Sequence, residues 1–269
     1  MPAGALDLNR TVNDNAFNLD ALHKSLHPFR LHFFTRLRST NDHAARMRRD
    51  KRLYAPAVVV AGSQSAGRGR GSNVWWSGRG SLTVTFVLPI DPEVPPHRVP
   101  LLAGLAVRRA VCAAGGPAAA DVRLKWPNDL WHRDLKFAGL LCERVDGVDL
   151  VGLGLNVNLG IDDIPSSLRP HVTSLSAFTG RTFPLGGVLA AVGEQVRALL
   201  LDRAYGSYAA VLREYESVHA LHGRDVVVDE PGTPGPVTGR CVGLDAEGRL
   251  RLRVGGAERS ITAGSVRLA

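Results

Sequence analysis

A glycine- and arginine-rich stretch, residues 64–77, lies between two apolar runs and constrains the fold more than any other part of the chain. The runs at 57–61 and 81–88 have the length and β-branched content of buried strands. No apolar side chain occurs from Gly67 to Asn73, so this segment is predicted to be a loop. Glycines let the backbone approach a ligand closely, and N–H groups with guanidinium groups suit an anion such as phosphate or carboxylate.

Two interpretations of this loop are open on its residues alone. It is either a solvated basic turn whose tryptophans, Trp75 and Trp76, belong to a core or lid, or an anion-binding loop whose tryptophans offer flat faces to a planar group. It is not a Walker loop, because no Lys-Ser/Thr pair follows the glycines. A dinucleotide-binding fingerprint is also excluded, because a strand rather than a helix is predicted next.

Composition and charge limit the class of protein. With 269 residues, the chain has room for one large domain or a large and a small one, and 45% hydrophobic with 22% charged residues is an ordinary globular composition. The net charge of +8 favours acidic partners or phosphorylated ligands. The arginines are spread along the chain, so the charge does not by itself indicate a nucleic-acid surface.

The cysteines and the N-terminus bear on the compartment. Three cysteines, far apart and odd in number, predict neither a disulfide framework nor a metal site. Reduced thiols fit a cytoplasmic protein best. The N-terminus lacks a signal-peptide pattern, and no apolar run looks long enough to cross a bilayer, so no membrane association is expected.

Hydrophobic periodicity predicts an α+β chain followed by a small all-β region. Beyond the two runs named above, strands are expected at 31–34, 122–126, 130–131, 135–143 and 149–158, and helices at 19–26, 99–114, 185–201 and 205–220. From residue 223 onwards, short strands at 225–228, 235–244, 249–254 and 259–261 predict a small antiparallel barrel or sandwich. The predicted division is an N-terminal arm with a short helix (1–28), a large α+β domain (29–221) and a C-terminal barrel (222–269).

Three sets of polar residues interrupt these elements. Ser39, Thr40 and Asn41 precede a helix, where they either cap it or point their side chains at a ligand. Lys125 and Lys136 each interrupt an apolar strand and need water or a partner, for which Asp129 and Glu143 are candidates. The alternative to plain salt bridges is that both ammonium groups converge with loop arginines on one polyphosphate, as phosphoryl or nucleotidyl transfer would require.

Taken together, these motifs resemble those of biotin protein ligases. The matching segments follow the family's order: Ser39-Thr40-Asn41, the loop from Gln64 to Trp75, Lys125-Trp126-Pro127-Asn128-Asp129, Lys136-Phe137-Ala138-Gly139 and Gly152-Leu153-Gly154-Leu155-Asn156. The resemblance covers roughly residues 30–269, and the ordered set is far more specific than any one motif. It implies a class II synthetase-like mixed sheet flanked by helices, plus an SH3-like C-terminal barrel.

The resemblance also implies an activity. Biotin's carboxylate attacks the α-phosphate of ATP, giving biotinyl-5′-AMP and pyrophosphate, and the lysine of a biotin carboxyl carrier protein then displaces AMP. ATP with Mg²⁺ and biotin are the expected small molecules, and no protein-built metal site is expected. The expected partner is the carrier domain of acetyl-CoA carboxylase or a related carboxylase. A homodimer is one option for the assembly.

Roles for individual residues follow from the same resemblance. The expected biotin-binding residues are Ser39, Thr40, Asn41, Gln64, Gly67, Arg68, Gly69, Arg70, Lys136, Gly152 and Gly154. The expected nucleotide-binding residues are Arg70, Trp75, Lys125, Asn128 and Asn156. Lys136 would bridge the carboxylate and the α-phosphate, with Arg68 and Lys125 as the other catalytic cations.

Two departures from the family pattern qualify these expectations. Many bacterial members read Gly-Arg-Gly-Arg-x-Gly-Arg-x-Trp, whereas Ser72 and Asn73 replace the later Gly-Arg, which removes one arginine from the loop. The bifunctional members carry an N-terminal helix-turn-helix for which the residues before Phe29 offer no room, so no operator binding is expected. Alternatives to biotin ligation are a lipoate ligase, with the same fold and adenylation chemistry, and a non-enzymatic nucleic-acid-binding protein.

Overall fold

The computed structural model describes residues 17–269, and its larger part is a seven-stranded mixed sheet. The strand order is β1-β2-β5-β9-β8-β7-β6, in which only the β1–β2 pair is parallel. The strands are β1 (Arg30–Phe34), β2 (Ala57–Ala61), β5 (Ser81–Pro89), β6 (Val122–Lys125), β7 (Asp129–His132), β8 (Leu135–Val145) and β9 (Val148–Asn156). The predicted α+β class with a mixed sheet is confirmed.

Helices cover both faces of this sheet. Six α-helices occur in the described chain: α1 (Leu19–Ser25), α2 (Thr40–Arg49), α3 (Val99–Gly115), α4 (Leu175–Thr179), α5 (Leu185–Val196) and α6 (Tyr208–Ser217). The main core forms where α3 and α5 pack together and α3 contacts the sheet, while α2 packs with β2, β5 and β9 around a second cluster. Strands β2 and β9 are buried at every position because helices lie on both sides of them.

The glycine-rich stretch forms a short hairpin, where the sequence predicted only a loop. β3 (Gly67–Arg68) pairs antiparallel with β4 (Val74–Trp75), and Gly69 N donates to Asn73 O at 2.8 Å across the turn. Gly71 has φ of +60°, a left-handed conformation that glycine adopts without strain. This hairpin was not predicted because two-residue strands carry no hydrophobic period.

The C-terminal region is a five-stranded antiparallel sheet with the order β13-β12-β11-β10-β14. Its strands are β10 (Asp225–Asp229), β11 (Val237–Leu244), β12 (Leu250–Val254), β13 (Ala257–Ile261) and β14 (Ser265–Leu268). The first four match the predicted strands within a few residues. The last, β14, was missed because only four residues carry its alternation, and it pairs with β10 from the end of the chain.

Specific bonds attach this sheet to the larger one. The indole Nε1 of Trp126 donates to Gly248 O at 3.1 Å from a buried position. Arg224 makes two bonds to the Asp134 carboxylate, at 2.6 and 3.0 Å. Because β6, β7 and their turns supply these partners, the C-terminal sheet is placed beside the same strands that carry Lys125 and Asp129.

Some element boundaries differ from those predicted. The helix expected at 205–220 begins at Tyr208, because Ser207 caps it by accepting from Ala210 N at 3.2 Å. The helix expected at 185–201 is α-helical only to Val196 and continues as a π-helical turn over Arg197–Leu201. The expected N-terminal helix is present as α1, whereas residues 1–16 of the predicted arm lie outside the described residues.

One helical stretch corrects the expectation about apolar runs. By length and composition, Val99–Ala119 could cross a membrane, and it is the one such stretch found in residues 17–269. However, 61% of its most apolar window is buried inside the fold. Its apolar character is thus explained by its place in the main core, where it packs against α5 and the sheet.

Candidate active site

The N-terminus of α2 brings two of the predicted polar residues to one edge of a cavity. Ser39 caps the helix by accepting from Asp42 N at 3.3 Å. Thr40 uses both its N–H and its hydroxyl to bind Gln64 Oε1, at 2.7 and 3.2 Å. Capping and site formation, treated as alternatives at the sequence level, therefore coexist, because Ser39 caps the helix while Thr40 is tied to the start of the glycine-rich stretch.

Asn41 is the centre of a buried hydrogen-bond network. Its amide nitrogen donates to Leu141 O at 3.0 Å and to Glu143 Oε2 at 2.8 Å, and its oxygen accepts from the Thr85 hydroxyl at 2.6 Å. Of the amide's two donor and two acceptor positions, three are therefore occupied by other groups of the protein. The amide lies against Gly152, where a Cβ atom would overlap its oxygen. Gly152 thus makes room for Asn41.

Gly154, two residues along β9, makes room for the indole of Trp75. A Cβ at Gly154 would overlap the Trp75 ring, whose buried Nε1 has no hydrogen-bond partner among the described residues. The spacing of two places Gly152 and Gly154 on the same face of the strand. Together they form a low floor, on which the Asn41 amide and the Trp75 ring lie.

Asp129 holds the two predicted lysines together. Its Oδ1 lies 2.7 Å from Lys136 Nζ, and its Oδ2 lies 3.8 Å from Lys125 Nζ. Strands β7 and β8 are neighbours, and Asp129 pairs directly with Gly139, so the carboxylate lies beside the Lys136 ammonium. Glu143, the other candidate partner, binds neither lysine. Instead it accepts from Arg68 and Asn41.

Lys125 is the more buried of the two lysines. Burial lowers its pKa below the ordinary value, and the neighbouring charges of Lys136 and Arg70 act in the same direction, while Asp129 opposes them. Its ammonium also lies 4.9 Å from the centre of the Trp131 ring. Two lysines therefore share one carboxylate, and Arg70 is close enough for its charge to act on Lys125, which leaves an excess of positive charge in a partly desolvated site.

The two loop arginines have different environments. Arg68 donates to Asp42 Oδ1 at 2.6 Å and to Glu143 Oε1 at 2.9 Å, so its charge is compensated. Arg70 donates only to uncharged oxygens, Asn128 Oδ1 at 3.3 Å and Gly264 O at 3.0 Å. Within residues 17–269, no carboxylate lies within ion-pair distance of Arg70, and burial lowers its pKa. Arg70 is therefore the loop cation that an anionic ligand could pair with.

These features surround one cavity of about 520 Å³, a volume in the range of small-molecule sites. Most of the predicted residues line it: Ser39, Thr40, Asn41, Gln64, Arg68, Gly69, Arg70, Trp75, Lys125, Asn128, Lys136, Gly152 and Gly154. Gly67 and Asn156 do not. Gly67 packs under Trp75 and Gln64, and Asn156 donates to Thr173 O at 3.1 Å while its buried oxygen has no partner within 17–269.

Several residues of the site were not predicted. The C-terminal sheet contributes Asp229, Pro231, Gly264, Ser265 and Val266 to the cavity wall. No motif signals them, because they reach the site only through the contact between the two sheets. Thr85 and Glu143 were also missed as supports of Asn41. Their signal was weak, since Thr85 follows Thr83 on β5 and Glu143 stands beside Arg144 near the end of β8, so neither residue is distinctive in its strand.

Comparison with known proteins identifies a family for the chain. The family model "Biotin/lipoate A/B protein ligase family" matches residues 33–160, and "Biotin protein ligase C terminal domain" matches residues 222–268. The biotin–[acetyl-CoA-carboxylase] ligase of Mycobacterium tuberculosis is 30% identical over 214 residues, which are 78% of this chain and 77% of that protein.

Two further proteins extend the comparison. The bifunctional ligase/repressor BirA of Bacillus spizizenii is 34% identical over 209 residues, which cover 72% of this chain but only 61% of that protein. The structure of the Aquifex aeolicus biotin protein ligase in complex with biotin and ATP superposes with a TM-score of 0.78 at 26% identity, covering 89% of this chain and 99% of that one.

The fold and the site thus define a member of the biotin/lipoate ligase class. Within this class, the match along both regions shows that the chain belongs to the biotin protein ligase family. The α+β fold class expected from the motifs is confirmed by the same comparisons.

Proposed function

We propose that the protein attaches biotin to a lysine of a biotin carboxyl carrier protein, using ATP and passing through biotinyl-5′-AMP. The observation that carries the proposal is the cavity with a glycine floor, where Lys125 and Lys136 share the Asp129 carboxylate and Arg70 has no acidic partner within residues 17–269. Family membership supplies the choice of biotin as the acid.

Biotin would bind between the N-terminus of α2 and the floor of β9. Thr40 and Gln64 line this end of the cavity, and their oxygen and nitrogen atoms suit a ureido group, which both donates and accepts hydrogen bonds. Asn41 supports this end indirectly, through its network beneath the cavity. We assign Gly152 to accommodating Asn41 and Gly154 to a space that biotin would use once the Trp75 ring leaves it.

The nucleotide would bind towards the C-terminal sheet, where Lys125, Asn128 and Arg70 lie. Trp75 would stack on the adenine, and Mg²⁺ would enter as part of the MgATP substrate. Asn156 would act from beneath the strand rather than from the cavity wall, because its amide is bonded to Thr173 O. Arg68 would have to leave Asp42 and Glu143 to meet a phosphate, so we assign it to holding the hairpin in place.

In the first step, a carboxylate oxygen of biotin forms a bond to the α-phosphorus of ATP, and the bond to the β-phosphate oxygen breaks to release pyrophosphate. Negative charge accumulates on the phosphoryl oxygens, where the ammonium of Lys136 and the guanidinium of Arg70 would stabilise it. Asp129 keeps Lys136 in position, since its 2.7 Å ion pair fixes the end of a long flexible side chain.

In the second step, the carrier lysine's amine attacks the acyl carbon of the adenylate. An amide bond forms, the bond from the acyl carbon to the phosphate oxygen breaks, and AMP leaves as the amine loses a proton. The same cations would stabilise the departing AMP. We assign residues 29–221 to this chemistry and residues 222–269 to closing the nucleotide end of the cavity.

The partner and compartment belong to the same proposal. The carrier would be a domain of acetyl-CoA carboxylase or a related carboxylase, in the cytoplasm. The chain spans 61% of the length of the Bacillus spizizenii relative, whose repressor function is not part of the proposal. We expect no duplex-DNA binding, and a salt-dependent binding titration would test this, since phosphate contacts weaken steeply with salt.

The test is isotopic exchange between pyrophosphate and ATP, run separately with biotin and with lipoate. Exchange with biotin alone is the expected result, followed by the mass gain of one biotinyl group on a carrier domain when ATP and biotin are present. Exchange with lipoate and none with biotin would replace the proposal with the lipoate alternative. No exchange with either acid from folded protein would remove it.

A further inference from the structure

A second group of ligand-type side chains lies at the junction of the two sheets, away from the cavity described above. Glu216 near the end of α6, His219 and His222 follow one another at intervals of three residues. One potential ligand atom from each lies within 4.8 Å of those from the other two. None of the three lines the cavity that holds Lys125 and Lys136.

His219 is the unusual member of the group. Its side chain is fully buried, and neither of its ring nitrogens has a hydrogen-bond partner within residues 17–269. A neutral imidazole has one N–H donor and one nitrogen lone pair. Burying both nitrogens without hydrogen-bond partners therefore costs free energy. Its Nδ1 points towards the Glu216 carboxylate but stops at 3.9 Å, which is too far for a hydrogen bond.

The carboxylate between the two rings is prepared for a cation. Glu216 supplies this carboxylate from near the end of α6. Its Oε1 accepts from Leu244 N, which leaves Oε2 facing His219 at 3.9 Å and His222 at 3.0 Å. Neighbouring donors on a tetrahedral zinc ion are about 3.3 Å apart, so these two distances bracket the required separation.

We propose that Glu216, His219 and His222 bind one divalent transition-metal ion of the Zn²⁺ type at the junction of the two sheets. Two imidazoles and one carboxylate favour Zn²⁺ over Mg²⁺ or Ca²⁺, which prefer oxygen ligands alone. A water molecule would complete a four-coordinate site. The proposal departs from the sequence-based expectation that the chain builds no metal site, because the three side chains are brought together only by the fold.

The position of the site gives the ion a structural role. The segment carrying His219 is bonded to β6 in both directions, since Leu124 N donates to Val218 O and Ala220 N donates to Leu124 O. Glu216 is bonded to β11 through Leu244 N. An ion held here would therefore fix the C-terminal sheet against β6, the strand that ends at Lys125.

The test is equilibrium dialysis of the full chain against Zn²⁺, with Co²⁺ as a spectroscopic probe. We expect one ion per chain, a visible spectrum of tetrahedral Co²⁺ and a higher thermal unfolding temperature with Zn²⁺. Glu216→Gln, which keeps an oxygen for Leu244 N, and His222→Gln, at an exposed position, should each weaken zinc binding by at least about tenfold.

The control is His23→Gln, an exposed histidine on α1. It should bind zinc as the unaltered chain does, and pyrophosphate exchange should stay within about twofold in all three variants. The proposal is overturned if the unaltered chain retains no zinc after dialysis. It is equally overturned if Glu216→Gln and His222→Gln keep full affinity, in which case Glu216 and His222 form only a surface pair beside a buried neutral histidine.

Discussion

The floor and the rim of the cavity are built in opposite ways. The floor extends from Gly152 and Gly154 on β9 across the neighbouring strands β8 and β7, which carry Lys136 and Asp129. Every residue of β9 is buried. The rim is the hairpin from Gly67 to Trp75, in which only two residue pairs are matched and Val74 is 78% exposed. The two lysines on the sheet are held by ion pairs with Asp129, at 2.7 Å for Lys136 and 3.8 Å for Lys125. Within residues 17–269, the rim cation Arg70 donates only to a carbonyl and an amide oxygen.

This difference separates two tasks of one site. A preorganised floor stabilises charge without moving during the reaction, which is the main source of electrostatic catalysis. A weakly held rim admits ligands and then closes over them, because few contacts must be broken. Substitutions on the floor should therefore change the rate of adenylate formation, while those on the rim should change how ligands bind and leave.

The largest effect is expected from Lys136→Ala on the floor. Adenylate formation should fall by about a hundredfold to a thousandfold, because the cation nearest the developing charge is lost. The measurement is biotin-dependent pyrophosphate exchange, with Lys24→Ala on the exposed face of α1 as the control and a thermal melt to confirm folding. Near-normal exchange by folded Lys136→Ala would show that the floor does not carry the chemistry.

The second-largest effect is expected from Gly152→Ala, which changes the shape of the floor. The added methyl group overlaps the Asn41 amide, which three hydrogen bonds hold in place, so the change should destabilise the fold by about 1–3 kcal/mol. Urea unfolding measures this free energy. Gly71→Ala is the matched rim substitution: it meets no atom within 4 Å, although its φ of +60° is strained for alanine. Because alanine at position 71 itself costs about 1 kcal/mol of backbone strain, the distinction between floor and rim would be contradicted if Gly152→Ala cost less than Gly71→Ala.

The two rim arginines should differ from each other. Arg70→Ala should weaken ATP binding by about ten- to a hundredfold, because an uncompensated cation is removed from the nucleotide end. Arg68→Ala removes a half-exposed pair with Asp42 and Glu143, and should cost less than about 1 kcal/mol of stability with a smaller effect on ATP. The two variants are compared by measuring the pyrophosphate-exchange rate as a function of ATP concentration. If Arg68→Ala weakens ATP binding more than Arg70→Ala does, Arg68 rather than Arg70 is the residue that pairs with the nucleotide.

The smallest effect is expected at the tip of the rim. Ser72→Gly combined with Asn73→Arg restores the arginine found in many members of the family, and should slow release of the adenylate by about two- to fivefold through one exposed ion pair. Single-turnover transfer, with and without carrier protein, measures retention. Faster release from this variant would show that the rim holds the adenylate by shape rather than by charge.

The sequence predicts the floor better than the rim. Lys125 and Lys136 interrupt apolar strands, so each is predicted to need a polar partner, and Asp129 is one of the two candidates. That both lysines lie beside the same carboxylate was not predicted. The partners of Arg68 and Arg70 could not be read in the same way. They depend on Glu143, which lies on the fourth strand after the hairpin along the chain, and on Gly264 in the other sheet, and no local pattern encodes such distant contacts.

The same limit applies to the C-terminal sheet's share of the cavity. Its strands were predicted from alternation and turns, apart from β14, but residues such as Asp229 and Ser265 enter the wall only because Trp126 and Arg224 fix the sheet there. Likewise, the spacing of Glu216, His219 and His222 became informative only when the structure placed the three side chains together.

The contact between Asn41 and Gly152 limits which substitutions the chain can accept during evolution. The amide occupies the volume that any side chain at position 152 would need, so neither residue is free to vary alone. A smaller residue at 41 would leave Thr85 and Glu143 without a shared partner, while a larger one at 152 would expel the amide. Among related sequences, the two positions should therefore be replaced as a pair or not at all.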